Sequence, residues 1–181
     1  MQSKTVVASV TAEKPKNGEN NSKEICCPEK TLTGKQIKDV LTMTKLYTTT
    51  VTNTGGRGGG RSEASDGSFA VAIAPPKEIS GKATTATNPE QLFAAGYSAC
   101  FNSALNAALR DAGVSYKTSS VTATVHLLKD EKTGYAIAVE LTVAIDDFSQ
   151  ADNQKYADLA HQICPYSKAV RGNIDVTVKG A

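Results

Sequence analysis

The residues most able to do chemistry in this chain are two cysteines far apart in the sequence, Cys100 and Cys164. Cys100 lies inside an alanine-rich apolar run, and Cys164 lies where another apolar pattern ends, directly before a proline. A cysteine thiolate is a nucleophile, and two thiols that folding brings together can form a disulfide. Either cysteine alone would be interpreted as a packing residue, because free cysteine is often buried. Their combination indicates thiol chemistry.

The other two cysteines and the two histidines do not suggest a second site. Cys26 and Cys27 are adjacent in a polar segment and lack the partner spacing of a tetrahedral zinc site, so we expect them to be incidental. His161 is close to Cys164 in sequence, and His126 lies in a strand pattern where it should face solvent. We assign neither histidine a catalytic role, and we expect no metal and no other cofactor.

Two helices are expected to position the reactive cysteines. Residues 88–90, Asn-Pro-Glu, predict a helix start, because Asn caps free amides, Pro fits the first helical position and Glu complements the positive helix end. This helix is expected to run to about Asp111. It is apolar on nearly every face, which predicts a central helix packed on both sides by sheet or by a second subunit. A second helix is predicted from Ser149 to Ile163, so that Cys164 lies at its end.

Strand patterns account for the remaining apolar segments. A β-rich run that starts near Leu46 and ends at the glycine cluster 55–60 predicts the first strand, and residues 69–73 predict a second strand paired with it as a hairpin. Segments 121–127 and 137–145 predict another hairpin, and residues 174–178 predict a final strand. The resulting order, β-β-α-β-β-α-β, is that of an α+β fold.

Composition limits the classes of function that fit this sequence. The chain has 181 residues, 20 of them basic and 18 acidic, for a net charge of +2. This balance argues against a nucleic-acid partner. We find no long apolar run and no secretory signal pattern, so we expect no membrane partner and a cytoplasmic protein. Residues 1–44 are mostly polar and predict a flexible extension, with a short amphipathic helix over residues 32–41, before a domain of residues 45–181.

Residues 88–101, NPEQLFAAGYSACF, resemble the signature of the Ohr branch of the OsmC/Ohr family. Residues 161–167 and 171–176 resemble its second motif, and residues 46–57 resemble its opening strand. The resemblance covers residues 45–181 in the correct order, which is far more specific than one short pattern. It implies an OsmC-like fold, an intertwined homodimer with active sites at the subunit interface, and protection against oxidative stress by two-cysteine reduction of organic hydroperoxides.

The resemblance also implies roles for individual residues. Cys100 would be the peroxidatic cysteine and Cys164 the resolving one, with Arg57 holding the thiolate and Glu90 orienting Arg57. Arg61 lies in the same glycine-rich loop and fits the cation role as well, but we favour Arg57 because the preceding segment aligns without a gap and Arg61 is expected to begin the returning strand. Cys100 is ten residues after Glu90, roughly 15 Å along a helix, so we predict that Glu90 serves the Cys100 of a second subunit.

Apolar side chains near the cysteines are candidate contacts for the substrate, although core packing is the favoured interpretation for the aromatic ones. They are Phe93, Tyr97, Phe101 and Ile163. An apolar site would favour alkyl or fatty-acid hydroperoxides. Tyr166 and Asp175, in the second motif, are expected to be hydrogen-bonded core residues. The resemblance implies a dithiol reductant, of the lipoylated-protein type. An OsmC-type peroxidase of different substrate range, a cysteine-based redox sensor and a non-enzymatic ligand-binding or structural dimer remain open alternatives.

Overall fold

A computed structural model describes residues 43–181 of the chain. The elements in chain order are β1 (Val51–Thr54), β2 (Gly60–Ala64), β3 (Ala70–Ile73), α1 (Lys77–Ser80), α2 (Pro89–Asp111), β4 (Ser119–Asp130), β5 (Gly134–Ile145), α3 (Gln150–Ile163), α4 (Pro165–Val170) and β6 (Val176–Gly180). The predictions for Cys26, Cys27 and a helix over residues 32–41 lie outside the described residues. The domain boundary at residue 44 stays a prediction.

The strands form two three-stranded sheets, and the α+β class predicted from the sequence is confirmed. In the first sheet β2 lies between β1 and β3, both antiparallel to it. The predicted pairing of the first strand with residues 69–73 is therefore wrong, and residues 46–50 lie outside any strand. The expected start of a returning strand at Arg61 is confirmed, but the sequence pattern did not separate β2 from β3, because Gly-Arg-Ser-Glu-Ala carries no large apolar side chain. The predicted order also lacks the short helices α1 and α4.

The second sheet consists of a long antiparallel hairpin with a third strand added in parallel. β4 and β5 pair along their whole length, from Ser119 with Ile145 to Asp130 with Gly134, as the predicted hairpin requires. β6 then pairs with β5 in parallel, with Val139 opposite Val176. A parallel neighbour needs a crossover connection, and α3 with α4 supplies it across one face of the sheet.

Helix α2 begins where the sequence predicts. Asn88 Oδ1 accepts a hydrogen bond from the Gln91 amide at 2.9 Å, and Pro89 occupies the first helical position. The helix buries one stripe, formed by Tyr97, Phe101, Ala104, Leu105, Ala108 and Leu109. The opposite face is less covered, with Ala95, Ala99 and Ser103 exposed. A single chain therefore covers one side of the helix that the sequence predicts to be packed on both sides.

The core lies between the second sheet and helices α2 and α3. β5 contributes Val139, Leu141 and Val143, which are almost completely buried, and α3 contributes residues 156, 157 and 160. Gly180 allows β6 to approach α3 closely, since a Cβ atom there would lie 2.4 Å from the backbone nitrogen of Gln154. Among the helices of residues 43–181, none combines the length and apolarity needed to cross a bilayer.

Helices α3 and α4 meet at Cys164. The Ser149 hydroxyl caps α3 by accepting a hydrogen bond from the Asp152 amide at 3.2 Å, as predicted. At Cys164 the backbone leaves the helical region, with φ −58° and ψ 124°, and Pro165 starts α4. An extended conformation before proline is expected, because the proline ring clashes with a helical residue in front of it. The fold therefore places Cys164 at a fixed corner of the chain.

Candidate active site

The two cysteines that the sequence selected come together in the fold. Cys164 Sγ lies 3.6 Å from Cys100 Sγ, although 64 residues separate them in the chain. Both are free thiols. Cys164 is completely buried, whereas Cys100 is partly exposed, so a molecule that arrives from solvent reaches Cys100 first. A disulfide would require the sulfurs to approach to about 2.05 Å, a small movement for side chains already in contact.

The surroundings of Cys100 within one chain do not favour its ionised form. Burial raises the pKa of the Cys100 thiol, the backbone N–H of Tyr166 opposes this by hydrogen bonding to the sulfur, and neighbouring Cys164 raises the pKa further. Arg57 is not among the groups that shift this pKa. Since the thiolate is the reactive form, Cys100 needs a cation, and no cationic side chain of residues 43–181 in its own chain is among the groups that shift its pKa.

Arg57 and Glu90 form a two-pronged ion pair. Arg57 Nη1 donates to Glu90 Oε2 at 2.8 Å, and Nη2 lies 2.8 Å from Oε1. The hydrogen bond between them raises the pKa of Arg57 and lowers the pKa of Glu90, so both groups keep their charge. Arg61 instead pairs with Glu63 on the exposed surface of β2. This geometry favours Arg57 over Arg61 as the arginine that Glu90 orients.

Glu90 and Cys100 remain far apart along their shared helix. α2 is continuous from Pro89 to Asp111, so the two residues are separated by roughly 15 Å of helical rise. The ion pair and the sulfur pair are thus two separate clusters in one chain. The prediction that Glu90 acts on the Cys100 of a second subunit stays a prediction.

A buried hydrogen bond that the sequence did not reveal lies beside the sulfur pair. Tyr97 Oη and Ser167 Oγ are 2.9 Å apart, and both side chains are completely buried. The ring of Tyr166 packs against Gly96, where a Cβ atom would lie 3.2 Å from the ring. A glycine in the middle of a helix usually has a packing reason, so the position of Gly96 was the sequence signal for a close contact at this point of α2.

The four candidate substrate contacts differ in exposure. Tyr97 and Phe101 have no accessible surface in the chain, which favours the packing interpretation for both. Ile163 is 42% exposed on the outer surface. Phe93 lines an open groove of about 540 Å³ together with Arg57. The sequence did not identify the other side chains of this groove, which are Leu127, Tyr135, Ala136, Ile137, Val170, Asn173 and Ile174.

The remaining polar candidates are the two histidines, Tyr166 and Asp175. His126 is exposed, as predicted, and lies 3.4 Å from Glu140. The ring of His161 packs near Phe101, and burial lowers its pKa. Tyr166 is 42% exposed and Asp175 is exposed, so the expectation that both are core residues is wrong. Within residues 43–181, no three metal-ligating side chains are grouped to hold a metal ion.

The sequence is similar to a known protein family and to relatives from two bacteria. Residues 81–179 match the family model described as OsmC-like protein. The organic hydroperoxide resistance protein-like 2 of Staphylococcus epidermidis is 48% identical over 132 residues, which are 72% of this chain and 92% of that protein. The organic hydroperoxide resistance protein OhrA of Bacillus subtilis is 46% identical over 138 residues, 75% of this chain and 96% of that protein. The chain belongs to the Ohr branch of the OsmC/Ohr family.

Solved Ohr structures share the fold described above. An organic hydroperoxide resistance protein from Elizabethkingia anophelis aligns with a TM-score of 0.71 and 40% identity, covering 77% of this chain and 99% of its own. OhrB of Bacillus subtilis aligns with a TM-score of 0.68 and 40% identity, covering 76% of this chain and 100% of its own. The OsmC-like fold predicted from the sequence is therefore confirmed.

Proposed function

We propose that this chain is a thiol-dependent peroxidase that reduces organic hydroperoxides to alcohols and so protects against oxidative stress. The observation that carries the proposal is the 3.6 Å contact between an accessible sulfur, Cys100, and a buried one, Cys164. Membership of the Ohr branch, whose relatives are named for organic hydroperoxide resistance, supports the same reaction.

The reaction would run as a two-thiol cycle. The Cys100 thiolate attacks one peroxide oxygen, the O–O bond breaks, and the leaving alkoxide takes a proton to become the alcohol. Cys100 is left as a sulfenic acid. The Cys164 thiol then displaces the hydroxyl group as water and forms the disulfide, and an external dithiol restores both thiols in exchange for its own oxidation. For that reductant we propose a dithiol of the lipoylated-protein type, as the family resemblance implies.

Ionisation of Cys100 would depend on a second copy of the chain. Burial raises the pKa of this thiol and no arginine of its own chain shifts it. In a homodimer, the Arg57 and Glu90 pair of one subunit would face the Cys100 of the other. The exposed face of α2 around Ala99 and strand β1, whose four residues are all exposed, support such a partner, because both leave surface that one chain does not cover. Arginine suits the role because it stays charged and contacts several acceptors at once.

The groove beside Arg57 suggests how an organic peroxide would be held. Phe93, Leu127 and Ile137 give it an apolar wall, and Arg57 also lines it. An alkyl chain would occupy the apolar wall while the peroxide group stays near the charge. Hydrogen peroxide has no alkyl part to bury, so it would be a weaker substrate.

The decisive test is a steady-state assay with tert-butyl hydroperoxide as substrate and dihydrolipoamide as reductant. Cys100→Ser is expected to abolish turnover, because no other described thiol is accessible at the site. Cys164→Ser is expected to react with one equivalent of peroxide and then to accumulate the sulfinic acid. Hydrogen peroxide and a fatty-acid hydroperoxide, assayed in parallel, report the substrate range.

Two outcomes would contradict the proposal. Equal peroxide consumption by wild type and Cys100→Ser would remove the thiol mechanism. A disulfide that forms once and is not reduced again by any dithiol tested would favour a redox sensor over an enzyme.

A further inference from the structure

The segments that carry the two cysteines are joined by a second contact one helical turn away. Tyr97 is three residues before Cys100 on α2, and Ser167 is three residues after Cys164 on α4. Tyr97 and Cys100, three residues apart on one helix, lie on one face of it, whereas Cys164 directly precedes α4 and Ser167 lies in the first turn of α4. The 2.9 Å hydrogen bond between Tyr97 Oη and Ser167 Oγ therefore lies beside the 3.6 Å sulfur contact and bridges the same pair of elements.

Helix α4 depends on such contacts for its position. It has six residues and no side-chain cap, and isolated helices of this length are unstable in water. The Tyr166 ring reaches α2 through its contact with Gly96, but that ring is 42% exposed. The hydrogen bond at Ser167 is completely buried, where leaving a polar partner unsatisfied is unfavourable. It is thus a buried side-chain link between α4 and α2, in addition to the hydrogen bond from the Tyr166 backbone N–H to Cys100 Sγ.

We infer that Tyr97 and Ser167 are a positioning pair that keeps Cys164 within reach of Cys100 and so determines the fate of the Cys100 sulfenic acid. This inference rests on the proposed peroxidase function. The sulfenic acid has two competing reactions. Condensation with the Cys164 thiol forms the disulfide and releases water, whereas attack on a second hydroperoxide transfers another oxygen and gives the sulfinic acid and a second alcohol. Condensation is the intramolecular reaction, so its rate depends on how closely the sulfurs are held.

The test measures how the sulfenic acid partitions between these two products. Tyr97→Phe, Ser167→Ala and the double variant are oxidised with increasing tert-butyl hydroperoxide, and disulfide and sulfinic acid are quantified by mass spectrometry. The sulfinic yield is expressed per peroxide attack, so a change in the first step does not enter it. Each single variant is expected to raise that yield about threefold to tenfold, the range that loss of one buried hydrogen bond supports.

The double variant separates positioning from general weakening of the fold. If the two hydroxyls act through their bond, the double variant over-oxidises no more than either single variant, whereas independent effects would add. Ile145→Val is the matched control, because Ile145 is buried in the same core but packs near the start of α3, away from the cysteines. This control is expected to keep the wild-type sulfinic yield.

A sulfinic yield in Tyr97→Phe and Ser167→Ala equal to that of wild type would overturn the inference, as would an equal rise in Ile145→Val. Tyr97→Phe removes one oxygen from an otherwise unchanged ring, so it decides the question if Ser167→Ala does not fold. Failure of the peroxidase proposal is distinguishable, because wild type would then either form no disulfide under peroxide or form one that no dithiol reduces, whereas failure of this inference leaves the wild-type cycle intact.

Discussion

Replacing Arg57 with alanine tests how Cys100 becomes reactive. Arg57 makes two 2.8 Å contacts with Glu90, but its side chain is 43% exposed, so loss of the pair should lower the free energy of unfolding by less than about 1 kcal/mol. The effect on reactivity should be larger. An opposite charge within roughly 4 to 6 Å changes the ionised fraction of a group by about tenfold to a thousandfold. In the proposed homodimer, Arg57→Ala should therefore raise the pKa of the Cys100 of the second subunit and slow its oxidation at pH 7 by at least about tenfold.

The assay is stopped-flow oxidation of Cys100 by tert-butyl hydroperoxide across a pH series. The rate for Arg57→Ala should recover as pH rises, because alkali ionises the thiol without help from the cation. Arg61→Ala is the matched control, since Arg61 lies in the neighbouring strand, pairs with Glu63 and is similarly exposed. It should retain the wild-type profile. An unchanged rate and pH profile in Arg57→Ala, or an equal loss in Arg61→Ala, would refute the assignment.

The remaining predictions concern stability and are measured by chemical or thermal unfolding. Asn88→Ala should lower the unfolding free energy by about 1 kcal/mol, because the cap on the Gln91 amide is lost. Gly180→Ala should lower the unfolding free energy by about 1 to 3 kcal/mol, because the new Cβ atom would clash with the backbone of α3. Gly172→Ala is the control: its Cβ atom would meet open space, so it should lower the unfolding free energy by only about 1 kcal/mol, because of the positive φ at Gly172. Arg57 lowers the pKa of Glu90 in the native state. The ionised Glu90 therefore stabilises the fold above its unfolded pKa of about 4.3, and this stabilisation is lost as pH falls through its lower native pKa. The difference in unfolding free energy between wild type and Glu90→Gln should accordingly disappear in that acid range.

Local sequence signals predicted the elements with strong patterns and did not separate one with a weak pattern from its neighbour. The cap residues Asn88 and Ser149 marked helix starts that the structure confirms, because capping is decided by a few neighbouring atoms. Strand β2 was not separated from β3 because its Arg61 and Glu63 are exposed while its buried side chains, Ser62 and Ala64, are small. Its strand conformation comes from pairing with both neighbours, which a short sequence window does not contain.

The candidate site was likewise predictable in part. The motifs around Arg57, Cys100 and Cys164 together selected these three residues, since a long collinear pattern identifies a family without any knowledge of contacts. The hydrogen bond between Tyr97 and Ser167 was not predictable, because the two residues are 70 positions apart and each could be explained from the sequence as an ordinary packing residue. The same reasoning applies to the groove, whose walls come from segments distant in the chain.

The sequence by itself determined which groups are candidates for the chemistry, namely the Cys100 and Cys164 thiols and the charged pair Arg57 and Glu90. It also determined where helices α2 and α3 begin, through their cap residues. Only the tertiary structure decided which groups meet. It placed Cys100 and Cys164 in contact at 3.6 Å and Arg57 on Glu90, yet kept the two clusters apart. The physical reason is that residue types and local periodicity act within a few residues, whereas the distance between remote side chains is set by how the sheet and helices pack.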